Sequence, residues 1–411
     1  MTKIIRPCAG AILATVTALV LTGCDLQVVN PGVIDAGTFD PTTDARTLSL
    51  SAQTNFYAAY ANVVNFTGYF SGEAWVGATR QETNDFGRRV ITPANLDINP
   101  NVWAPLSLAI ASNEDVLDIL DRAGVGAGDI NAARSALYSG FALVLMAESF
   151  CEGVMRVGPP MTTAETLDSA IVRFDRAIQE ATAATGDEAV RIANSARVGL
   201  ARAYLQKGDY AEAARAAEPV PSDFEHYAIY VDDASARSRA GNSVFARTAS
   251  TSLVVPDAYR ELGDPRIPFA DGGRMAQDGQ LYFYMQQKYP GYDAPIRISS
   301  GLEARYIEAE AALKLGDSAP ALALIAERRA VGGQPAFGGG DADAILAELM
   351  DQRARDFWLE AKHLGDYRRN PSATPYVGAP GAPFYKPNLG EYGELTCIPV
   401  PNEERQANPN F

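Results

Sequence analysis

The side chains best suited to ligand chemistry in this chain are aromatic rings gathered in two stretches. The early stretch holds Tyr57, Tyr60, Phe66, Tyr69, Phe70, Trp75 and Phe86, and the late stretch holds Tyr282, Phe283, Tyr284, Tyr289 and Tyr292. Such rings offer flat apolar faces with polar tips, which suit the C–H faces and hydroxyl groups of sugars. Polar side chains that can hydrogen-bond a ligand are interleaved with the early rings, namely Glu73, Arg80, Gln81, Asn84 and Asp85.

Any single ring of these stretches can instead belong to the hydrophobic core. Tyr69 and Trp75 are the first candidates for ligand contact, because they flank Gly72 in a segment expected to be a loop. The full set of predicted ligand-binding residues is Tyr69, Phe70, Trp75, Arg80, Asn84, Tyr282, Tyr284, Tyr289 and Tyr292.

Motifs of catalysis are scarce. The sequence contains no G-x-S-x-G segment and no phosphate-binding loop, and the three glycines before Asp341 are best explained as a plain loop. Two histidines, His226 and His363, leave acid–base catalysis almost without candidates, and both are interpreted as structural. Cys151 and Cys397 are too far apart for a metal motif. We predict no catalytic residue, no metal and no cofactor.

The N-terminus has the pattern of an export signal. Lys3 and Arg6 precede an apolar segment that is too short to span a bilayer, and it ends in Leu-Thr-Gly followed by Cys24. This ending resembles a bacterial lipobox, so residues 1–23 are predicted to be a lipoprotein signal peptide and Cys24 the lipidated residue. The alternative is an ordinary signal peptide with a chance cysteine. Since stable anchoring takes more than one acyl chain, a multiply acylated Cys24 would tether the chain to a membrane without spanning it.

Composition and charge limit the classes of molecule that this protein can bind. The chain is 47% apolar and 21% charged, which is typical of a globular protein, and its net charge is −15. Loss of Lys3 and Arg6 with the signal peptide takes this charge to −17. This negative net charge argues against binding to nucleic acid, because such binding requires a basic protein surface.

Cysteine usage is simple once the signal peptide is removed. Cys8 leaves with it and Cys24 is lipidated, so Cys151 and Cys397 remain as an even pair in an exported protein. We predict a disulfide between them. The alternative is two buried thiols, because free cysteine packs as a small apolar residue.

The spacing of apolar and small residues predicts a mainly α protein with little strand. Residues 24–44 are expected to be a lipid-anchored tether, and residues 45–411 a single domain. Helical repeats are predicted around 131–217 and 302–364. Ala170, Phe174 and Ala177 follow the A-x3-F-x2-A spacing of a tetratricopeptide repeat, and Gly208 is suited to end a helix in the left-handed conformation.

Two further expectations concern the rest of the chain. Residues 219–300 are rich in Pro, Gly, Asp and aromatics, and we predict an irregular insertion that faces the ligand, with a strand near 281–285. Residues 341–364 are predicted to form the last long helix, closed by Gly365.

Several segments, taken in their order, resemble the SusD/RagB family of nutrient-binding outer-membrane lipoproteins. The lipobox is followed by Asp-Leu-Gln-Val-Val-Asn-Pro, and Trp103 with Asn113 is similar to the family's W-x9-N helix. Residues 352–369 resemble its R-x-R-E-x-x-x-E-G-x-R stretch, with Asp356 and Ala361 where Glu and Gly are usual. Residues 397–410 resemble its P-I-P-x-x-E…N-P-N ending.

The resemblance implies a helical repeat scaffold that presents irregular loops to a ligand and has no enzymatic activity. It further implies a surface position on the outer membrane, capture of a polysaccharide, an oligosaccharide or a peptide, and delivery to a SusC-like TonB-dependent transporter. Two alternatives stay open at this point. One is a lipid-anchored helical enzyme of the glycosidase type, and the other is an envelope repeat scaffold without a small ligand.

Overall fold

In the part of the chain that the structure describes, the long helices pack against their neighbours in the sequence, as a repeat pattern requires. The computed structural model describes residues 40–411, apart from the side chains of residues 41–43. The predicted signal peptide, Cys24 and the tether up to residue 39 lie outside the described residues. The α-helices of the described part are α1 Pro41–Ser71, α2 Gln81–Arg88, α3 Ala104–Arg122, α4 Ile130–Ser149, α5 Thr163–Ala183, α6 Asp187–Lys207, α7 Tyr210–Ala217, α8 Arg237–Ala240, α9 Ser243–Ala249, α10 Asp257–Arg260, α11 Gly301–Lys314, α12 Ala319–Val331, α13 Ala342–Asp356, α14 His363–Arg369 and α15 Asn402–Ala407.

Strands contribute little to the described part of the chain. They are β1 Trp75–Val76, β2 Glu225–Ala228, β3 Leu253–Val254, β4 Phe269–Met275, β5 Tyr282–Gln286 and β6 Ile296–Ser300. They pair antiparallel as three two-stranded ribbons, β1–β3, β2–β6 and β4–β5. The prediction of a mainly α protein with tetratricopeptide-like repeats and little strand is confirmed.

The repeat helices hold together through small residues placed against one ring. Phe174 of α5 is fully buried, and it faces Gly140 of α4 and Gly199 of α6. A Cβ added at Gly199 would lie 2.3 Å from the ring, so glycine is needed for this close approach. Gly208 ends α6 with φ of 82°, which is the left-handed cap that its position predicts.

Helix α4 is the centre of the first repeat block. By length and composition this helix could cross a membrane. However, 89% of its apolar 18-residue window is buried inside the protein. Asp129 caps it by accepting hydrogen bonds from the backbone N–H groups of Asn131 and Ala132. The burial identifies α4 as a core helix.

The C-terminal segment closes against the end of α4. Cys151 and Cys397 are joined in a disulfide with Cα atoms 5.1 Å apart, the pairing that the cysteine count predicts. Beside it, the N–H of Ile398 donates to the carbonyl of Ser149. The indole N–H of Trp103 donates to Glu404 at 3.0 Å, so two of the segments that resembled the family meet in one structural contact.

Three predicted boundaries are wrong. The tether was expected to reach residue 44, but α1 begins at Pro41, a residue whose fixed φ suits the first turn of a helix. The loop expected around Gly72 also begins later than predicted: Tyr69 belongs to α1, which continues to Ser71, because Phe66, Tyr69 and Phe70 keep a buried face in helical register.

The third correction concerns the last long helix. Helix α13 ends at Asp356, and Gly365 lies inside the separate helix α14. The turn between them places Leu359 and Ala361 at positive φ, 57° and 53°, and neither residue type signals such a turn in a sequence.

Replacing Gly199 with Ala should destabilise the repeat block, although alanine favours helix, because the new methyl group would overlap Phe174. We expect the free energy of unfolding in urea to fall by about 1–3 kcal/mol. Gly126→Ala is the control, since nothing lies within 4 Å of a Cβ added there. Equal stability of the two variants would contradict the packing described for Phe174.

Candidate ligand-binding surface

The predicted ligand-binding residues divide sharply by burial. Tyr69, Phe70 and Tyr289 are 1%, 2% and 3% exposed, and two of them are further tied by hydrogen bonds. The hydroxyl of Tyr69 donates to the carbonyl of Ser252, and that of Tyr289 donates to the carbonyl of Leu359. These three rings are core, so the expectation that they stack on a surface ligand is corrected.

Asn84 is also removed from the surface. It is buried, and its amide donates to the carbonyls of Ala78 and Arg80 while its oxygen accepts from the ammonium group of Lys386. These contacts fix the loop before α2. Arg80 remains exposed, and its guanidinium pairs with Asp97 at 3.1 Å.

Trp75 and Tyr292 are half-buried and already engaged with other side chains. The Trp75 ring stacks on Tyr385 with centroids 4.6 Å apart, and it packs on the cluster that contains Leu281 and Phe283. Tyr292 has the guanidinium of Arg237 4.7 Å from its ring centroid. Each has limited free ring surface for a ligand.

The exposed rings lie together on the β4–β5 ribbon. Of all aromatic side chains in residues 40–411, only Phe269 and Tyr282 are classed as exposed, at 37% and 42%. Tyr284, half-buried, lies between them, with ring centroids 5.2 Å from Tyr282 and 6.2 Å from Phe269. We call the outward side of this ribbon, formed by Phe269, Asp271, Tyr282 and Tyr284, the ribbon face.

The strand period explains why these rings share a side. Tyr282 and Tyr284 are two residues apart, so they point outward, while Phe283 between them is buried against Ala276 and Leu281. Asp271 pairs with Tyr284 across the ribbon. The prediction of a strand near 281–285 is confirmed by β5.

Polar groups complete the ribbon face. The guanidinium of Arg260 lies 3.7 Å from the ring centroid of Tyr284, close enough for a cation–π contact. The backbone N–H of Gly273 donates to Asp271 at 2.7 Å, and this bond together with one from the Tyr282 hydroxyl lowers the pKa of the Asp271 carboxyl. The face thus combines apolar rings with an anchored carboxylate and a guanidinium, which is the composition of a site for a polar, ring-shaped ligand.

Sequence reasoning missed Phe269 and Arg260. Phe269 stands alone in a segment of Pro, Gly and Asp, and only its pairing with Gln286 across the ribbon brings it near the tyrosines. Arg260 reaches Tyr284 from α10. Neither contact has a signal in local composition.

Both histidines are structural in this geometry. His226 is buried between Ser195 and Tyr138, with ring nitrogens 2.7 Å and 3.1 Å from their hydroxyls. Burial lowers its pKa to about 3, so it stays neutral at physiological pH.

Among residues 40–411 no group of three or more His, Cys, Asp or Glu side chains is placed to hold a metal ion.

The fold is that of SusD/RagB family proteins. A SusD/RagB family protein from Bacteroides thetaiotaomicron superposes with a TM-score of 0.67 at 13% identity, covering 89% of this chain and 94% of its own. A SusD-like carbohydrate binding protein from Bacteroides vulgatus gives 0.68 at 15% identity, covering 91% and 98%. Surface glycan-binding protein A from Bacteroides uniformis gives 0.65 at 14% identity, covering 88% and 98%. No protein-family model and no curated protein matches the chain.

At the level of fold, the structure agrees with the resemblance of the sequence to the SusD/RagB family. The resemblance rested on scattered blocks, and the structural neighbours cover about nine-tenths of the chain. This chain is therefore a SusD-like helical repeat protein by fold.

Glu73, one of the polar side chains interleaved with the early rings, is fully buried. One carboxyl oxygen accepts from the backbone N–H of Leu359 at 2.7 Å, and the other has no hydrogen-bond partner. Burial raises the pKa of this carboxyl from 4.5 to about 8. Glu73 is thus protonated in the folded protein at neutral pH, whereas it is ionised in the unfolded chain.

The raised pKa of Glu73 predicts a pH-dependent stability. The folded state keeps a proton on Glu73 that the unfolded chain loses. The contribution of this protonation to the free energy of unfolding is therefore complete below pH 4.5 and is lost as the pH rises towards 8. Glu73→Gln removes this dependence, so the variant should gain stability relative to the native chain across that window. Each unit of pKa difference corresponds to about 1.4 kcal/mol.

Urea unfolding at pH 4.5, 6, 7 and 8.5 measures this difference. Glu261→Gln, at an exposed position after α10, is the control and should follow the native chain at every pH. A native-minus-variant difference that stays constant with pH would show that Glu73 is ionised in the folded protein.

Proposed function

We propose that this chain is a nutrient-binding surface lipoprotein of the SusD/RagB type that captures a glycan on the ribbon face. The observation that carries the proposal is the grouping of the only exposed rings of residues 40–411, Phe269 and Tyr282, around Tyr284 on one ribbon. Rings held 5–6 Å apart by a paired strand form a continuous apolar surface for sugar C–H faces. Two of the structural neighbours are described as carbohydrate-binding or glycan-binding proteins, which supports this ligand class.

The same proposal covers the setting of the protein. Cys24 carries the lipid, the body lies outside the cell at the outer membrane, and the captured glycan passes to a TonB-dependent transporter. In this proposal the chain binds the glycan without cleaving it. Co-purification of a TonB-dependent transporter with the membrane-anchored chain tests the partner, and its absence would contradict this part.

A glycan array probed with the chain from residue 25 onward tests the ligand class. For the best-bound glycan, Tyr282→Ala should weaken binding at least tenfold, or about 1.4 kcal/mol, because it removes the exposed ring without touching the core. Tyr282→Phe keeps the ring and should stay within about threefold. Titration calorimetry on the three proteins gives the affinities.

Leu315→Ala is the matched control, because Leu315 is a similarly exposed apolar side chain, at the end of α11. It should bind as the native chain does. Binding of no glycan, or equal binding by native chain and Tyr282→Ala, would overturn the proposal. Trp75→Ala is less informative here, since the Trp75 ring also packs on Tyr385 and its loss would affect folding.

A further inference from the structure

The β4–β5 ribbon, which carries the exposed rings, is interrupted near its turn. After the pair Asp271–Tyr284, three residues of β4 lie opposite one residue of β5. Such a bulge leaves the extra residues unpaired and bends the strand. The next pair, Met275 and Tyr282, is the last before the turn, which is formed by residues 276–281. A two-stranded ribbon is at best marginally stable by itself, so the position of Tyr282 depends on whatever holds this turn.

Asp278 holds the turn from within. Its backbone N–H donates to the carbonyl of Gly77 at 2.8 Å, which joins the turn to the segment after β1. Its Oδ1 accepts from the backbone N–H groups of Gln280 and Leu281 at 2.9 and 3.2 Å. Leu281 directly precedes Tyr282, so Asp278 fixes the backbone from which that ring projects.

The second carboxyl oxygen of Asp278 belongs to a buried ion pair. Oδ2 lies 2.6 Å from the ammonium nitrogen of Lys386, and both side chains are only 1% exposed. The same ammonium group donates to the carbonyl of Ala78 at 3.0 Å and to the amide oxygen of Asn84 at 2.8 Å. Among residues 40–411, Asp278 pairs with no other cation. Lys386 therefore joins the turn of the ribbon to the loop before α2 and to α2 itself.

Lys386 is in turn held by the residue before it. The hydroxyl of Tyr385 accepts from the backbone N–H of Val76 at 2.7 Å, and its ring stacks on Trp75. The ammonium group is thus presented to Asp278 from a fixed segment. Loss of this group would leave Asp278 as a buried charge without compensation, which is strongly unfavourable. Its carboxylate could then be hydrated only if the turn moved outward.

We infer that Lys386 is a positioning residue of the ribbon face: through its ion pair with Asp278 it fixes the turn that places Tyr282 for ligand contact. Lys386 does not itself contact the ligand, because its side chain is buried. This inference rests on the proposed function, and it makes glycan binding depend on a residue of the C-terminal segment that lies outside the ribbon.

Amide hydrogen exchange tests the positioning without any ligand. In Lys386→Met, which removes the charge and keeps an unbranched side chain, peptides that cover residues 276–286 should exchange about tenfold faster than in the native chain. Peptides of α5 and α6 should exchange as before. Gly199→Ala is the control for lost stability, because its overlap lies in the repeat block, and its ribbon peptides should exchange at the native rate. Unchanged exchange of 276–286 in Lys386→Met would overturn the inference.

A second substitution tests whether Lys386 acts through Asp278. Adding Asp278→Asn to Lys386→Met removes the buried charge that the first substitution leaves without compensation, and it keeps the side-chain oxygen that accepts from Gln280 and Leu281. Exchange of 276–286 should return most of the way to the native rate, because the two sites are coupled. Exchange as fast as in Lys386→Met alone would overturn the inference.

Affinity for the best-bound glycan of the array tests whether the positioning serves the ligand. By titration calorimetry, Lys386→Met should weaken binding at least threefold, but no more than Tyr282→Ala does. Added to Tyr282→Ala, it should change the affinity by less than about twofold, because the ring that it positions is gone. Lys207→Met is the control, since Lys207 also pairs with a carboxylate, that of Asp168, but lies on α6. It should bind as the native chain does.

The outcomes separate the two proposals. Equal weakening by Lys386→Met in the native and Tyr282→Ala backgrounds would overturn the inference and leave the proposed function standing. The same holds if Lys386→Met binds the glycan as tightly as the native chain. Binding of no glycan by the native chain would overturn the proposed function and the inference with it.

Discussion

The described structure depends on one buried ionic network that joins the helical repeats to the ribbons. Glu303, at the start of α11, is fully buried, and its carboxylate lies 3.2 Å from Lys362, 3.7 Å from Arg202 and 4.0 Å from Arg353. Each cation comes from a different element. Removing water from such charges costs several kcal/mol per ion, so the network is stable only when every partner is in place.

The network extends to both ends of α14 and fixes the turn before it. Arg353 pairs with Asp366 at 2.8 Å, and Arg369 pairs with Glu310 at 2.7 Å. The turn carries two non-glycine residues at positive φ, a conformation that costs energy and persists only when its surroundings hold it. Lys362 helps to stabilise this turn by donating to the carbonyl of Ile298. The late segment that resembled the family is therefore a structural device.

Sequence reasoning captured the repeats because their signal is local. The spacing of Ala170, Phe174 and Ala177 already contains one face of α5, and glycines elsewhere only complete the packing. The ligand candidates depended on burial, which is set by long-range contacts. Tyr69 and Tyr282 look alike in composition, but the hydroxyl of Tyr69 reaches Ser252, 183 residues away, whereas Tyr282 projects from a ribbon. The break after Asp356 escaped prediction because neither Leu359 nor Ala361 marks a left-handed turn.

Placing the candidate ligand surface on a ribbon separates its chemistry from the stability of the scaffold. The outward rings of β5 alternate with Phe283, so the inner face anchors the ribbon while the outer face is free to change. The ribbon is held to the helices through its neighbours, as when the N–H of Val255 donates to the carbonyl of Tyr284. Substitutions at Phe269 or Tyr282 alter an exposed face without opening a cavity, whereas the charges around Glu303 tolerate no such change. A scaffold of this kind can keep its fold at low sequence identity while its ligand surface diverges.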